Sequence, residues 1–121
     1  MCHRLPRSRR LQANRHFREA YAQERSAHGR CMVVFLRAAP DAASRVGVVA
    51  SKRVGGSPDR ARAKRRLREL FRLHYPQPPA TPDDVVLVAR RPILDAPWPA
   101  IVAEFSRLLR RAAAVPPPSA P

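Results

Sequence analysis

The chain reads as an α+β protein, a two-layer sandwich with elements in the order α-β-β-α-β-α. Three observations predict this. Compact, β-branched apolar runs recur at Met32–Leu36, Val46–Ala50 and Val85–Ala89, each the length of a strand. Two later segments repeat apolar residues at helical spacing: Leu67, Leu70, Phe71 and His74, then Ile101, Phe105, Leu108, Leu109 and Ala112. Finally, 121 residues that are 45% hydrophobic suffice for one packed core and leave little room for a second.

Each element has its own justification. Asn14 can cap a short first helix that places Phe17, Ala20 and Tyr21 on one face, with Arg18 and Glu19 turned away. The turn-rich Pro40-Asp41-Ala42-Ala43-Ser44 joins the first two strands, which predicts an antiparallel hairpin. Gly55-Gly56 breaks the chain, and Ser57-Pro58 supplies an N-cap followed by proline at the first helical position. The second helix then runs from Pro58 to about His74, before Pro76, Pro78, Pro79 and Pro82 form a stiff connection. A third strand and a third, amphipathic helix follow, and both long helices should bury their stripes on one face of a single sheet. Three regions result: a basic N-terminal arm over residues 1–13, a single α+β domain over 14–114, and a disordered, proline-rich tail over 115–121.

Charge is the strongest functional signal. Twenty-four Lys plus Arg against nine Asp plus Glu leave +15, and all the basic side chains but Lys52 and Lys64 are arginine. A polyanion binder needs such an excess and a metabolic enzyme rarely does, so nucleic acid is the leading partner. The charge is also localised. Residues 1–30 carry +6 and residues 52–74 carry +7, while 31–51 and 75–121 carry +1 each.

Other classes are disfavoured. No long uncharged window predicts a membrane span, and the Arg-rich N-terminus has neither the apolar stretch of a secretory signal nor the serines of a transit peptide, which leaves the cytoplasm as the expected location. Cys2 and Cys31 stand apart, without metal-ligand spacing. His3, His16, His28 and His74 show no spacing that would pair them as acid and base, and the adjacent Asp83-Asp84 reads as a polar strand entrance better than as a two-metal site. No catalytic residue and no metal ligand is therefore expected in the chain.

On a helix over 58–74, Leu67, Leu70, Phe71 and His74 fall on one side and Arg62, Arg65, Arg68 and Arg72 on the other. Glu69, four residues after Arg65, offsets part of that repulsion, and a bound polyanion would offset the rest. Arginine suits phosphate because its planar fork bridges two oxygens or stacks on a base. Gly55 and Gly56 would admit a phosphate toward the helix N-terminus, although the segment has no GxxxxGK[ST] pattern.

The string Arg45-Val46-Gly47-Val48-Val49-Ala50-Ser51-Lys52-Arg53-Val54-Gly55, continuing to Arg60-Ala61-Arg62-Ala63-Lys64-Arg65-Arg66-Leu67-Arg68-Glu69-Leu70-Phe71, resembles the bacterial ribonuclease P protein component. Its core is a strand ending in Ser-Lys-Lys/Arg-hydrophobic-Gly, followed by an Arg-Asn-Arg-x-x-Lys-Arg type helix. Arg10-Leu11, Asn14 to Tyr21 and Val85 to Pro92 are similar to the flanking family segments, so the resemblance covers about residues 9–112. Ala61 stands where the family has Asn, and Gly56 where it often has Asn, which puts local polar contacts in doubt but removes no charge.

The resemblance implies a protein subunit of a ribonucleoprotein endonuclease that removes 5′ leaders from precursor tRNA. Its partners would be the catalytic RNA subunit and precursor tRNA, with no membrane and no protein partner required. Hydrolysis would belong to the RNA, with Mg2+ at the RNA active site and no cofactor held by the protein alone. By position, Lys52, Arg53, Arg60, Arg62, Lys64, Arg65 and Arg68 match the family's RNA-binding motif, and Phe17, Tyr21 and Phe35 match the aromatic positions of its leader cleft. The family fold, ribosomal protein S5 domain 2-like, carries a left-handed β-α-β crossover, an exception to the usual hand. Residues alone leave other readings open. Phe17 and Tyr21 at helical spacing can be core, and a ribosomal-type or general RNA-binding chaperone without processing activity, or a DNA binder, would carry similar charge.

Overall fold

Alternation along the strands decides which face of the sheet each side chain serves. In the computed structural model, which describes residues 10–11, 13–76 and 82–116, Met32, Val34 and Leu36 face one layer while Val33, Phe35 and Arg37 face the other. The elements are α1 (Asn14–Ala22), β1 (Ser26–His28), β2 (Met32–Arg37), β3 (Val46–Val49), α2 (Ser57–His74), β4 (Asp84–Ala89), a short 3-10 turn at Arg91–Leu94 and α3 (Trp98–Ala113). They build a mixed α+β fold around one four-stranded sheet, in the order β1-β2-β4-β3.

Two expectations about the sheet are corrected. The order is α-β-β-β-α-β-α, because Ser26–His28 adds a short edge strand antiparallel to β2, with Ala27 opposite Val34. No apolar run announces it, since only Ala27 of the three is buried. The expected hairpin between β2 and β3 does not form either. β4 lies between them, antiparallel to β2 and parallel to β3. Val85, Val86 and Leu87 are fully buried, so this strand requires cover on both faces and neighbours on both edges. Asp84 at its start also draws both neighbours in: Arg37 at the end of β2 donates through Nη1 at 2.7 Å, and Arg45, just before β3, through Nη2 at 3.0 Å.

One face of the sheet is closed by α2 and α3. Leu67, Leu70 and Phe71 of α2 and Ile101, Phe105 and Leu108 of α3 pack with Val34, Leu36, Val85 and Leu87 in the main core, as the two helical stripes predict. Burying each such side chain contributes about 1.5–3 kcal/mol. His74 does not join them. It is exposed, and Tyr75 takes the buried place instead, stacked on Phe71 at 4.4 Å between ring centroids. The caps shift as well: Asn14 is the first helical residue behind Ala13, and Ser57 lies inside α2 behind Gly56, so neither side chain caps its helix.

α3 is fastened to the β1–β2 turn by Glu104. Its Oε1 accepts the amide of Arg30 at 3.0 Å, and its Oε2 those of Cys31 and Met32 at 2.8 and 3.1 Å. Gly29 is required here, because a Cβ would stand 2.6 Å from that carboxylate. Burial, with Glu104 adding to it, pushes the Cys31 thiol up from its ordinary value. At the far end of α3, Arg25 Nε donates to the carbonyl of Val115, so the start of the expected tail is tied to the sheet. Arg4, Arg7 and Arg9 of the arm, Pro78 and Pro79 of the connection, and tail residues 117–121 lie outside the described residues.

Candidate nucleic-acid interface

The turn that follows β3 presents the first cations. Val54 is buried and its amide donates to the carbonyl of Ser51 at 3.1 Å, which leaves Lys52 and Arg53 exposed at the corner. Gly55 sits at φ 148°, a conformation that favours glycine, and any Cβ there would meet the Asp59 carboxylate. Pro58 and Asp59 occupy the first turn of α2, where fixed φ and a negative charge both suit the helix start.

Along α2 the basic residues divide into three groups at ~100° per residue. Arg62 and Arg66 lie on one flank and turn inward: both donate to the carbonyl of Leu94, and Arg66 Nη2 also to that of Ala96 at 3.0 Å. Arg65 points outward, while Arg72 binds Glu69 through two hydrogen bonds, at 3.1 and 2.7 Å. Glu69 thus holds Arg72. Arg60, Lys64 and Arg68 lie on the opposite flank, where with Ala50, Ser57 and Ala61 they line a shallow pocket of about 330 Å³. The row Arg62, Arg65, Arg68 and Arg72 expected from the sequence is therefore corrected, since two of its members are engaged within the protein.

The Arg60–Lys64–Arg68 flank is short of negative charge. Burial, reinforced by the nearby Arg10 charge, pulls the Arg68 guanidinium below the usual arginine range. Arg60 Nε and Arg10 Nε are both buried without a hydrogen-bond partner among the described residues. Arg10, at the end of the basic arm, is not among the RNA-binding residues expected from the sequence. It pairs with Val46 as a parallel bridge, and the Leu11 amide donates to the Val46 carbonyl at 2.7 Å, which anchors the arm's end against β3. Arg60 Nη2 donates to Ser57 Oγ at 3.0 Å, but among the described residues the two Nε donors have no acceptor, so an anion at this flank would meet uncompensated positive charge.

The other face of the sheet is covered only in part. α1 lies over Gly47, Val86 and Phe35, with Leu11, Phe17 and Ala20 forming a small second core. Phe17 is half-buried, and its ring occupies the space that a Cβ on Gly47 would need, 2.5 Å from its Cε1. Tyr21 remains 39% exposed and meets Phe35 edge-to-face at 4.9 Å. Burial raises its phenol above the ordinary value. Past α1, the paired Val33 and Val88 form part of the wall of a pocket of about 580 Å³ rimmed by Arg30, Ser51, Arg53 and Arg90. Sequence reasoning missed Arg30, Arg90 and Arg91. Arg91 ties this rim to the basic turn by donating to the Val54 carbonyl at 3.0 Å.

α1 is held down through His16 and Glu19. Arg37, 1% exposed, donates to Glu19, Asp41 and Asp84, and His16 Nε2 lies 3.2 Å from Asp41 Oδ2. Asp84 is desolvated, which opposes ionisation, but donors from Arg45, Ala43 and Arg37 overcome this and hold its carboxyl below the ordinary value. Asp83 is likewise bound to Arg25 at 2.6 Å. The two aspartates are thus scaffold ions, and among the described residues no group of three or more His, Cys, Asp and Glu is placed to hold a metal.

Geometry alone describes a cationic helix flank beside an aromatic, arginine-rimmed sheet face, the combination that suits single-stranded and structured RNA. No helix among the described residues is long and apolar enough to cross a membrane. Comparison with known proteins gives the lineage. The ribonuclease P family model matches residues 5–113. Proteins called ribonuclease P protein component share 36% identity over 109 residues in Symbiobacterium thermophilum, covering 89% of this chain and 94% of the relative. In Chloroflexus aurantiacus they share 33% over 115 residues, covering 95% and 85%. The RNase P protein of Thermotoga maritima superposes with a TM-score of 0.69 at 25% identity, over 84% of this chain and 96% of that one. A Staphylococcus aureus RNase P protein mutant gives 0.73 at 25%, over 88% and 89%. The chain belongs to the bacterial ribonuclease P protein component family.

Proposed function

We propose that the chain binds the catalytic RNA subunit of ribonuclease P through its basic turn and helix, and holds the 5′ leader of precursor tRNA on the open sheet face. Lys52, Arg53, Arg60, Lys64, Arg65 and Arg68 would contact phosphates, while Arg62 supports them through its bond to Leu94. The leader would lie along Tyr21, Phe35 and the Val33–Val88 row, with Phe17 supporting from beneath α1. The observation that carries this reading is the juxtaposition of the two surfaces, joined at Val54 by Arg91.

Stacking is sequence-tolerant and phosphate contact is sequence-independent, which suits a protein that must accept many leaders. Phosphodiester hydrolysis is assigned to the RNA, with Mg2+ supplied there. Asp83 and Asp84, bound to guanidinium groups, and Glu104, bound to amides, are already taken up within the scaffold, and among the described residues no group of three or more His, Cys, Asp and Glu is placed for a metal. What the protein contributes is position and charge.

The test combines the chain, the RNA subunit from the same source and precursor tRNA at physiological salt. Faster cleavage or tighter substrate binding on adding the protein is expected. No gain in either, with equal binding to unrelated structured RNA, would instead support a general RNA chaperone. Changing Arg65 and Arg68 together to Ala should weaken association with the RNA subunit and flatten its salt dependence by about 1 per lost phosphate contact.

A further inference from the structure

Most of the nine acidic residues are consumed inside the scaffold. Glu19, Asp41 and Asp84 hold Arg37, Asp83 holds Arg25, Glu69 holds Arg72, and Glu104 is occupied by three backbone amides. On α3 this leaves Arg107, Arg110 and Arg111 exposed, none in an ion pair among the described residues. Cations in the last turn of a helix are favoured by its dipole, which accounts for Arg110 and Arg111 alone. Arg107 lies a turn earlier and has those two like charges as its i+3 and i+4 neighbours, an arrangement that weakens a free helix.

The fold fixes where this row lies. At ~100° per residue, Arg107 and Arg111 share the flank of α3 that carries Glu104, beside the β1–β2 turn, where Arg30 is also exposed. The other end of α3 is held at Arg25, just before β1. The row therefore follows β1, the edge strand opposite β3, while the Arg60–Lys64–Arg68 flank stands at the end of β3. Three inter-strand spacings, about 14 Å, separate the two edges.

We propose that Arg107, Arg110 and Arg111, with Arg30 at the end of the row, form a second RNA-binding surface that takes the phosphate backbone of a double-stranded segment. The inference rests on RNA being the partner. Duplex is favoured because the exposed alanines that flank these arginines along α3, Ala100 and Ala103 before them and Ala113 and Ala114 after them, allow close approach and offer no ring on which a base could stack. A lipid surface is disfavoured because the apolar stripe of α3 is fully used in the core. The protein would then be gripped by RNA along both edges of its sheet, with the leader face between them.

The test titrates the full chain with a short blunt-ended RNA duplex of mixed sequence and follows affinity against salt. Arg107→Ala with Arg111→Ala should shallow the slope by about 2 and weaken binding several-fold at physiological salt. Arg107→Lys with Arg111→Lys should keep the slope, because charge and not shape sets it. Circular dichroism and thermal melting monitor the fold. An unchanged slope in the Ala pair, alongside a reduced one in Arg60→Ala with Arg68→Ala, overturns the proposal and leaves the proposed function standing. Equal loss in the Lys and Ala pairs also overturns it, by showing a structural role. Unchanged slopes in every variant would defeat the RNA reading itself.

Discussion

Replacing Asp84 by Asn should cost more stability than any other isosteric change of an acid in this chain. The carboxylate is 0% exposed and accepts Arg37 Nη1 at 2.7 Å, Arg45 Nη2 and Nε at 3.0 and 3.3 Å, and the amides of Ala43 and Arg45 at 3.1 and 3.0 Å. A carboxamide keeps the volume, but its NH2 would confront guanidinium donors, and Arg37, 1% exposed, would lose its one buried counter-ion. Breaking a buried pair in this way costs about 3–5 kcal/mol, against a total stability of about 5–15 for a domain. At roughly 4 °C or more per kcal/mol, the melting midpoint should fall by at least ~12 °C. Denaturant unfolding and calorimetry measure both quantities. The pH profile supplies an independent sign. Because the folded carboxyl titrates below its unfolded value, the wild-type contribution is complete above about pH 5, fades as pH falls through the folded value and is absent below it. Asp84→Asn should remove that acid limb. A loss under ~1 kcal/mol, with the acid limb intact, would show that the cluster is worth no more than an exposed pair and would refute this account of the β2-β4-β3 order.

Two other predictions follow from the open face. Gly47→Ala places a methyl 2.5 Å from the Phe17 ring, so it should destabilise the protein by about 1–3 kcal/mol in urea unfolding and should be relieved by Phe17→Leu. Tyr21→Ala should lower affinity for leader-bearing precursor by about 1–3 kcal/mol while leaving mature tRNA unaffected in the same equilibrium assay. Equal loss on both RNAs would place Tyr21 in the scaffold. Phe17→Ala answers that question less cleanly, because its ring is also a prop for α1.

Elements with strong periodicity were legible in the sequence: α2 and α3 occur where the apolar repeats put them, as do β2, β3 and β4. Pairing was not. A turn-rich link between two apolar runs implies a hairpin only when no third strand competes, and β4 competes through burial on both faces and through Asp84. β1 was illegible because its formation depends on β2 and not on its own residues. At the candidate site, residue types in order identified the basic helix, but helical angle alone could not tell that Arg62 and Arg66 reach carbonyls of the 3-10 turn. Arg107, Arg110 and Arg111 escaped notice for a simpler reason. Charge summed over 75–121 gives +1, because it counts acids that are buried in bonds elsewhere.

The strict alternation along β2 and β4 has a consequence for how such a protein can vary. Val33, Phe35 and Val88 touch the open face, while Met32, Val34, Leu36 and Leu87 sit in the closed core one residue away. Side chains on the core face are held by packing against α2 and α3, while those on the other face answer only to α1 and to whatever binds beyond it. On β2 the odd-numbered residues face α1 and the even-numbered ones the main core, and on β4 the assignment is reversed, so the two faces of the same strands answer to different neighbours.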